Sequence, residues 1–149
     1  MIDGVKVIPL RKIADERGVI MHMLRATDPH FEQFGEAYFA TAYPGVIKGW
    51  HEHTEQTQFY CVVSGMIKLV MYDDREGSPT RGELMEIFMG DLNYVLVRIP
   101  FGIINGWKCI GTQTAMVANC ATTPHKDGEM LRYEPFGDRV PYKWDIEMK

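Results

Sequence analysis

Pro44-Gly45-Val46-Ile47-Lys48-Gly49-Trp50-His51-Glu52-His53-Thr54-Glu55-Gln56-Thr57-Gln58-Phe59-Tyr60-Cys61-Val62-Val63-Ser64-Gly65 is the stretch on which the fold turns. Pro44-Gly45 reads as a turn, Gln58 to Ser64 as an apolar β run, and Gly65 as its end. Between them, His51 and His53 stand two residues apart in a strand-like setting. Side chains alternate across a strand, so both imidazoles share one face and Trp50 and Glu52 take the other. Such a pair marks a candidate site. The alternative is one solvated imidazole beside one hydrogen-bonded structural imidazole.

Working toward the N-terminus, Glu36 to Tyr43 reads as extended, and Thr27-Asp28-Pro29 as the cap of a short helix, Pro29 to Phe34, stopped by Gly35. Val5 to Leu10 and Val19 to Leu24 are strands around the turn Asp15-Glu16-Arg17-Gly18. Toward the C-terminus, Gln58–Ser64 and Met66–Tyr72 are expected to form a hairpin across Ser64-Gly65. A polar loop, Asp73 to Gly82, follows, then strands Glu83–Met89, Tyr94–Ile99 and Thr114–Ala121. Thr122 to Lys149 has no period and is expected to be an irregular tail packed over the rest. Many short strands with almost no helix mean an all-β sandwich or barrel, and a barrel leaves no long unpaired edge. The 149 residues suit a single domain, 1–149, large enough to bury a core and hold a ligand in its mouth.

Composition narrows the function. A net charge of −4 without a basic stripe argues against nucleic acid, and no apolar run has the length of a membrane span. Cys61, Cys109 and Cys120 lie in apolar surroundings without a CxxC pair and read as core thiols of a cytoplasmic protein. The N-terminus has no signal-peptide pattern. Trp50 and Trp107 read as core or interface residues, and the ten methionines as core filler.

The spacing Gly45-x5-His51-x-His53-x4-Gln58-x6-Gly65 resembles the first cupin motif, and Pro100-x-Gly102-x2-Asn105 the second. The resemblance implies a double-stranded β-helix, or jelly roll. Gln58 and Asn105 stand where metal-binding cupins carry Glu and His, so the set suits a transition metal poorly. A closer resemblance is to the dTDP-4-dehydrorhamnose 3,5-epimerase family, metal-free cupins that use no cofactor. Asp15-Glu16-Arg17-Gly18, Lys48-Gly49-Trp50-His51, Ser78-Pro79-Thr80-x-Gly82, Ile99-Pro100-x-Gly102 and Arg132-Tyr133-Glu134-Pro135 carry it. Lys48 to Gln58 is also similar, without a gap, to the Arg-Gly-x-His-x-His-x4-Gln run of dTDP-sugar 3,4-ketoisomerases.

These resemblances imply a nucleotide-diphosphate sugar as partner and a homodimer whose N-terminal strands pair across subunits. They imply His51 as general base with His53 beside it, Glu134 orienting His51, and Arg17 and Lys48 on the diphosphate or enolate. Gln58, Asn105 and Tyr60 are further substrate-binding candidates. Arg17 also reads as a turn charge, Lys48 as a solvated strand-end lysine, and Glu134 as a surface carboxylate. The family's catalytic tyrosine falls on Ala118 and its second-motif histidine on Asn105. The alignment therefore favours moving the carbonyl from C4 to C3 over inverting C3 or C5, with Tyr38, Tyr43, Tyr60 and Tyr94 as candidates to replace the acid that inversion needs. A ketone at C4 acidifies the protons on C3 and C5, and a neutral imidazole is suited to taking one at neutral pH. Two other classes stay open: a pocket that binds without chemistry, and a metal cupin.

Overall fold

The computed structural model describes residues 1–148 and is all-β. Twelve strands follow one another: β1 Lys6–Pro9, β2 Lys12–Asp15, β3 Gly18–Met21, β4 Glu36–Ala42, β5 Ile47–His53, β6 Gln58–Ser64, β7 Met66–Asp73, β8 Leu84–Gly90, β9 Val95–Ile99, β10 Ile103–Ile110, β11 Ala115–Ala121 and β12 Met130–Arg132. Two five-stranded sheets, in the orders β1-β9-β6-β11-β4 and β12-β5-β10-β7-β8, make the jelly roll. Every pairing is antiparallel. The sheets are not hydrogen-bonded into a closed barrel, and β2 and β3 pair only with each other.

Alternation sends Tyr60 and Val62, Ile67, Leu69 and Met71, Val95, Val97 and Ile99, and Ala115 and Val117 into one core between the sheets. The outer faces are covered as well. Residues of the C-terminal tail, Val140 and Trp144, pack on Trp50, Val70 and Ile104. Leu10, Met23 and Leu24 pack over Phe59, Cys61, Leu96 and Ala118. Covering both faces explains why β6 reads as one continuous apolar run. No helix among the described residues is long and apolar enough to cross a membrane.

Three expectations from the sequence need correction. The helix at 29–34 does not form. Instead of capping a helix, the Asp28 carboxylate accepts from the Arg25 amide at 2.8 Å, and the Phe31 N–H closes a single turn on Asp28 O. β6 and β7 are not a hairpin, because the chain crosses between sheets at Gly65. Ser64 pairs with Met116, while Met66 pairs with Gly90. One residue cannot close a two-residue hairpin. At Gly65, φ is +80° and a Cβ would sit 2.8 Å from Thr114 O, so glycine is required there. The tail is not wholly irregular, since β12 pairs with β5 within it.

Candidate functional site

The site is a cavity of about 510 Å³ on the inner side of β5. β5 contributes Lys48, His51 and His53; β4, Tyr38; β6, Tyr60; β10, Trp107; β11, Asn119; and β12, Met130 and Arg132. The alternation of β5 brings the two imidazoles together, with ring centroids 6.2 Å apart and planes at 79°. Trp50 turns the other way and is buried under the tail. The Gly49–Trp50 peptide is cis, and a Cβ on Gly49 would lie 2.8 Å from Gly106 Cα. Glycine at position 49 lets β5 lie close against the β10 bulge between Asn105 and Trp107.

The histidines differ in their partners. His53 is buried, and its Nδ1 lies 2.6 Å from Glu129 Oε1. The other oxygen, Oε2, accepts from the Glu55 and Gln56 amides at 3.0 Å each. Burial works to raise the Glu129 carboxyl, but these amides and the imidazole outweigh it and hold it below its ordinary value. His53 Nε2 is buried without a protein partner. His51 Nε2 lies 3.5 Å from Tyr60 Oη. Burial, together with the nearby His53 and Arg132, pulls His51 down to about 4 against a smaller opposing contribution from Asn105, so the ring is neutral at pH 7. Burial, reinforced by Tyr38, pushes the Tyr60 phenol up against the Gln58 hydrogen bond, so Tyr60 remains a donor.

Asn119 Oδ1 accepts from Phe59 N at 3.1 Å, which fixes the amide and directs Nδ2 to Tyr38 Oη at 3.0 Å. That phenol oxygen therefore accepts, and its own hydrogen is left for the cavity. Lys48 lies with Nζ 5.7 Å from the Trp107 ring.

Of the residues singled out from sequence, His51, His53, Lys48 and Tyr60 line this cavity. Gln58 and Asn105 do not. Both are almost fully buried; Gln58 donates to Tyr60 Oη at 3.0 Å, and Asn105 is paired with His51 in the β5–β10 register. Glu134 is exposed and lines a separate depression shared with His51 and Arg132. Arg17 is at the β2–β3 turn, bonded to Asp15, outside the cavity lining. Ala118 packs in the outer cluster with Phe59 and Cys61, so the β11 residue facing the cavity is Asn119. The alternation Ala115, Val117, Asn119 carried that signal; nothing in the sequence marked Glu129. Among the described residues, no three His, Cys, Asp or Glu side chains form a group able to hold a metal ion.

A jelly roll with paired histidines in its mouth defines the protein as a cupin. The family model for dTDP-4-dehydrorhamnose 3,5-epimerase matches residues 1–147. The spore coat polysaccharide biosynthesis protein SpsL of Bacillus subtilis (strain 168) is 35% identical over 147 residues, covering 99% of this chain and 93% of SpsL. The crystal structure of a dTDP sugar isomerase from Desulfovibrio desulfuricans G20 superposes with a TM-score of 0.94 at 40% identity, covering 96% of this chain and 92% of that one. A more distant fold neighbour, at 23% identity and a TM-score of 0.79 over 99% of this chain and 84% of the other, is the Legionella pneumophila Philadelphia 1 epimerase RmlC in complex with dTDP-4-keto-L-rhamnose. The chain belongs to the dTDP-4-dehydrorhamnose 3,5-epimerase family. It is an isomerase-class sugar epimerase.

Proposed function

We propose that this protein acts on a nucleotide-linked 4-keto-6-deoxyhexose by moving a proton at the carbon beside the ketone through an enolate, with the histidine pair as proton carriers. The observation that carries the reading is two imidazoles in one cavity, faced by the Tyr38–Asn119 pair across the strands. An imidazole takes the C–H proton and the electron pair moves onto the ketone oxygen. Lys48 and Arg132 at the cavity are the cations available to the enolate or the diphosphate. Inversion requires a donor on the other face, and the Tyr38 phenol, on the sheet opposite β5, would be that donor.

Migration of the ketone from C4 to C3 is the second reading, favoured by His51 and His53 lying on one face of β5. A homodimer fits the β2–β3 hairpin, which pairs with neither large sheet and carries Arg17. From a partner subunit, Arg17 would reach a diphosphate. Glu134 would meet the substrate at the rim beside Arg132. Three free thiols suit a reducing cytoplasm.

The test is proton exchange. Incubated in D2O with dTDP-4-keto-L-rhamnose, the protein is expected to introduce deuterium at C3 or C5, followed by NMR. Product stereochemistry and the carbonyl position then separate epimerisation from ketone migration. Tight binding of the nucleotide sugar with no deuterium in the sugar would make the protein a binding module instead.

A further inference from the structure

We infer that Lys48 is the cation that meets the enolate oxygen inside the cavity, and that Arg132 at the rim takes the diphosphate. The inference rests on the sugar-nucleotide reading above and divides between the two cations the roles that were open to both. Lys48 becomes a catalytic residue and Arg132 a binding one.

Plain alternation along β5 would put Lys48 on the outer face with Trp50 and Glu52, away from the histidines. The pairing with β10 turns it inward instead. His51 stands opposite Asn105 and Lys48 opposite Trp107, so β5 takes three steps where β10 takes two. One extra residue on β5 reverses the alternation, and a bulge of this kind re-aims the side chain beyond it. Lys48 thereby shares the cavity face with Trp107 and His51. Gly49, which lines the cavity between them, has no side chain to stand in the way.

The two cations differ in depth. Trp107 is 2% exposed and belongs to the core between the sheets, and Lys48 Nζ lies 5.7 Å from its ring centroid. The lysine stem is therefore laid across the cavity floor with its ammonium inside. Arg132 stands opposite His51 in the β5–β12 register, but it is exposed and also lines the outer depression with Glu134. Solvent and salt screen a charge at such a position. A diphosphate is charged throughout the reaction and continues into a nucleoside toward the mouth, so an exposed guanidinium suits it. The enolate charge exists only during the step and arises on the sugar ring, inside. Among the described residues, no Asp or Glu lines the cavity to compete for the ammonium, and the buried Gln58 and Asn105 are neutral amides.

The step balances. The C–H bond beside the ketone breaks, its proton goes to the imidazole base, and its electron pair forms the enolate double bond while the carbonyl π pair moves onto oxygen. Lys48 donates an N–H to that oxygen and keeps its proton. When a proton returns to carbon the carbonyl re-forms, and the ammonium is unchanged.

The experiment compares wild type, Lys48→Met, Lys48→Ala and Arg132→Met for deuterium incorporation from D2O into dTDP-4-keto-L-rhamnose, with dTDP affinity measured by calorimetry. Lys48→Met keeps a stem over Trp107 and loses the charge. It is expected to lower the exchange kcat on the order of 10²- to 10³-fold with dTDP affinity within about threefold. Lys48→Ala should lose as much and regain part of the rate when methylammonium is added, a rescue that a merely structural lysine would not show. Arg132→Met should weaken dTDP about tenfold or more and lose mainly in KM. A Lys48→Met protein that exchanges at the wild-type kcat, or that weakens dTDP as much as Arg132→Met does, overturns the assignment and leaves the sugar-nucleotide reading standing. No exchange by wild type removes both. Should one Lys48 variant not fold, the other decides on the same kcat and affinity readouts.

Discussion

At the scale of single residues, the histidine pair makes a prediction about stability. The folded His51 titrates near 4, mainly because burial disfavours its charged form, against about 6.5 when unfolded. Between those values the unfolded chain binds the extra proton, so stability falls as pH falls. The contribution is complete above pH 6.5 and is lost progressively toward pH 4, at most roughly 3 kcal/mol. Carboxylates such as Asp73 and Glu129, held below their ordinary values, add losses that begin as pH approaches those ordinary values and continue below them. Urea unfolding at pH 7 and pH 4.5 should show a drop for wild type and a clearly smaller one for His51→Gln. Equal drops would mean that His51 is not held neutral. His51, His53, Lys48 and Tyr60 were legible because strand alternation and motif spacing act over a few residues. Glu129 was not, since its bond to His53 joins positions 76 apart and comes from a segment without a period.

At the scale of elements, the C-terminal tail holds β5 from behind. Trp144 stacks on Trp50 at 4.7 Å, and both indole N–H groups donate to Pro135 O at 3.2 Å. Lys68 and Lys108 Nζ each reach Trp144 O at 3.4 Å. Tyr133 exchanges backbone hydrogen bonds with Trp50, which locks the tail to β5. Trp144→Ala should therefore cost about 3–5 kcal/mol in urea unfolding and weaken dTDP binding, because the same segment presents Arg132. A stable variant with unchanged dTDP affinity would mean that the tail is only a cover. Most strands could be read from alternation and turn residues. β10 escaped because Asn105-Gly106 interrupts its apolar run, and β12 because three residues are too few to establish a period. The supposed hairpin at Gly65 failed for a different reason: a glycine turn looks alike whether it closes a hairpin or passes between sheets.

At the scale of the whole molecule, apolar surface is left uncovered on the β2–β3 hairpin and the edge strand β4. Val19, Ile20 and Phe39 are 51%, 60% and 69% exposed. Exposed apolar side chains on a free strand edge are what the proposed homodimer would cover. Sedimentation should give twice the 17.1 kDa of one chain, and Ile20→Lys with Phe39→Lys should shift the protein to monomer with weakened dTDP binding. A wild-type monomer would remove the partner subunit's Arg17 from the proposed site. The two-sheet jelly roll was foreseeable from strand number and the cupin spacing; that its edges are not hydrogen-bonded into a closed barrel was not, because hydrogen bonding between sheet edges leaves no mark in hydropathy.

Glu129 follows every strand of the first sheet, so the ribosome delivers the two halves of the His53–Glu129 contact far apart in time. A nascent chain extended only to Ala121 holds both imidazoles but neither the carboxylate nor Arg132. The cavity is therefore completed last in synthesis, when β12 adds Met130 and Arg132 to its wall.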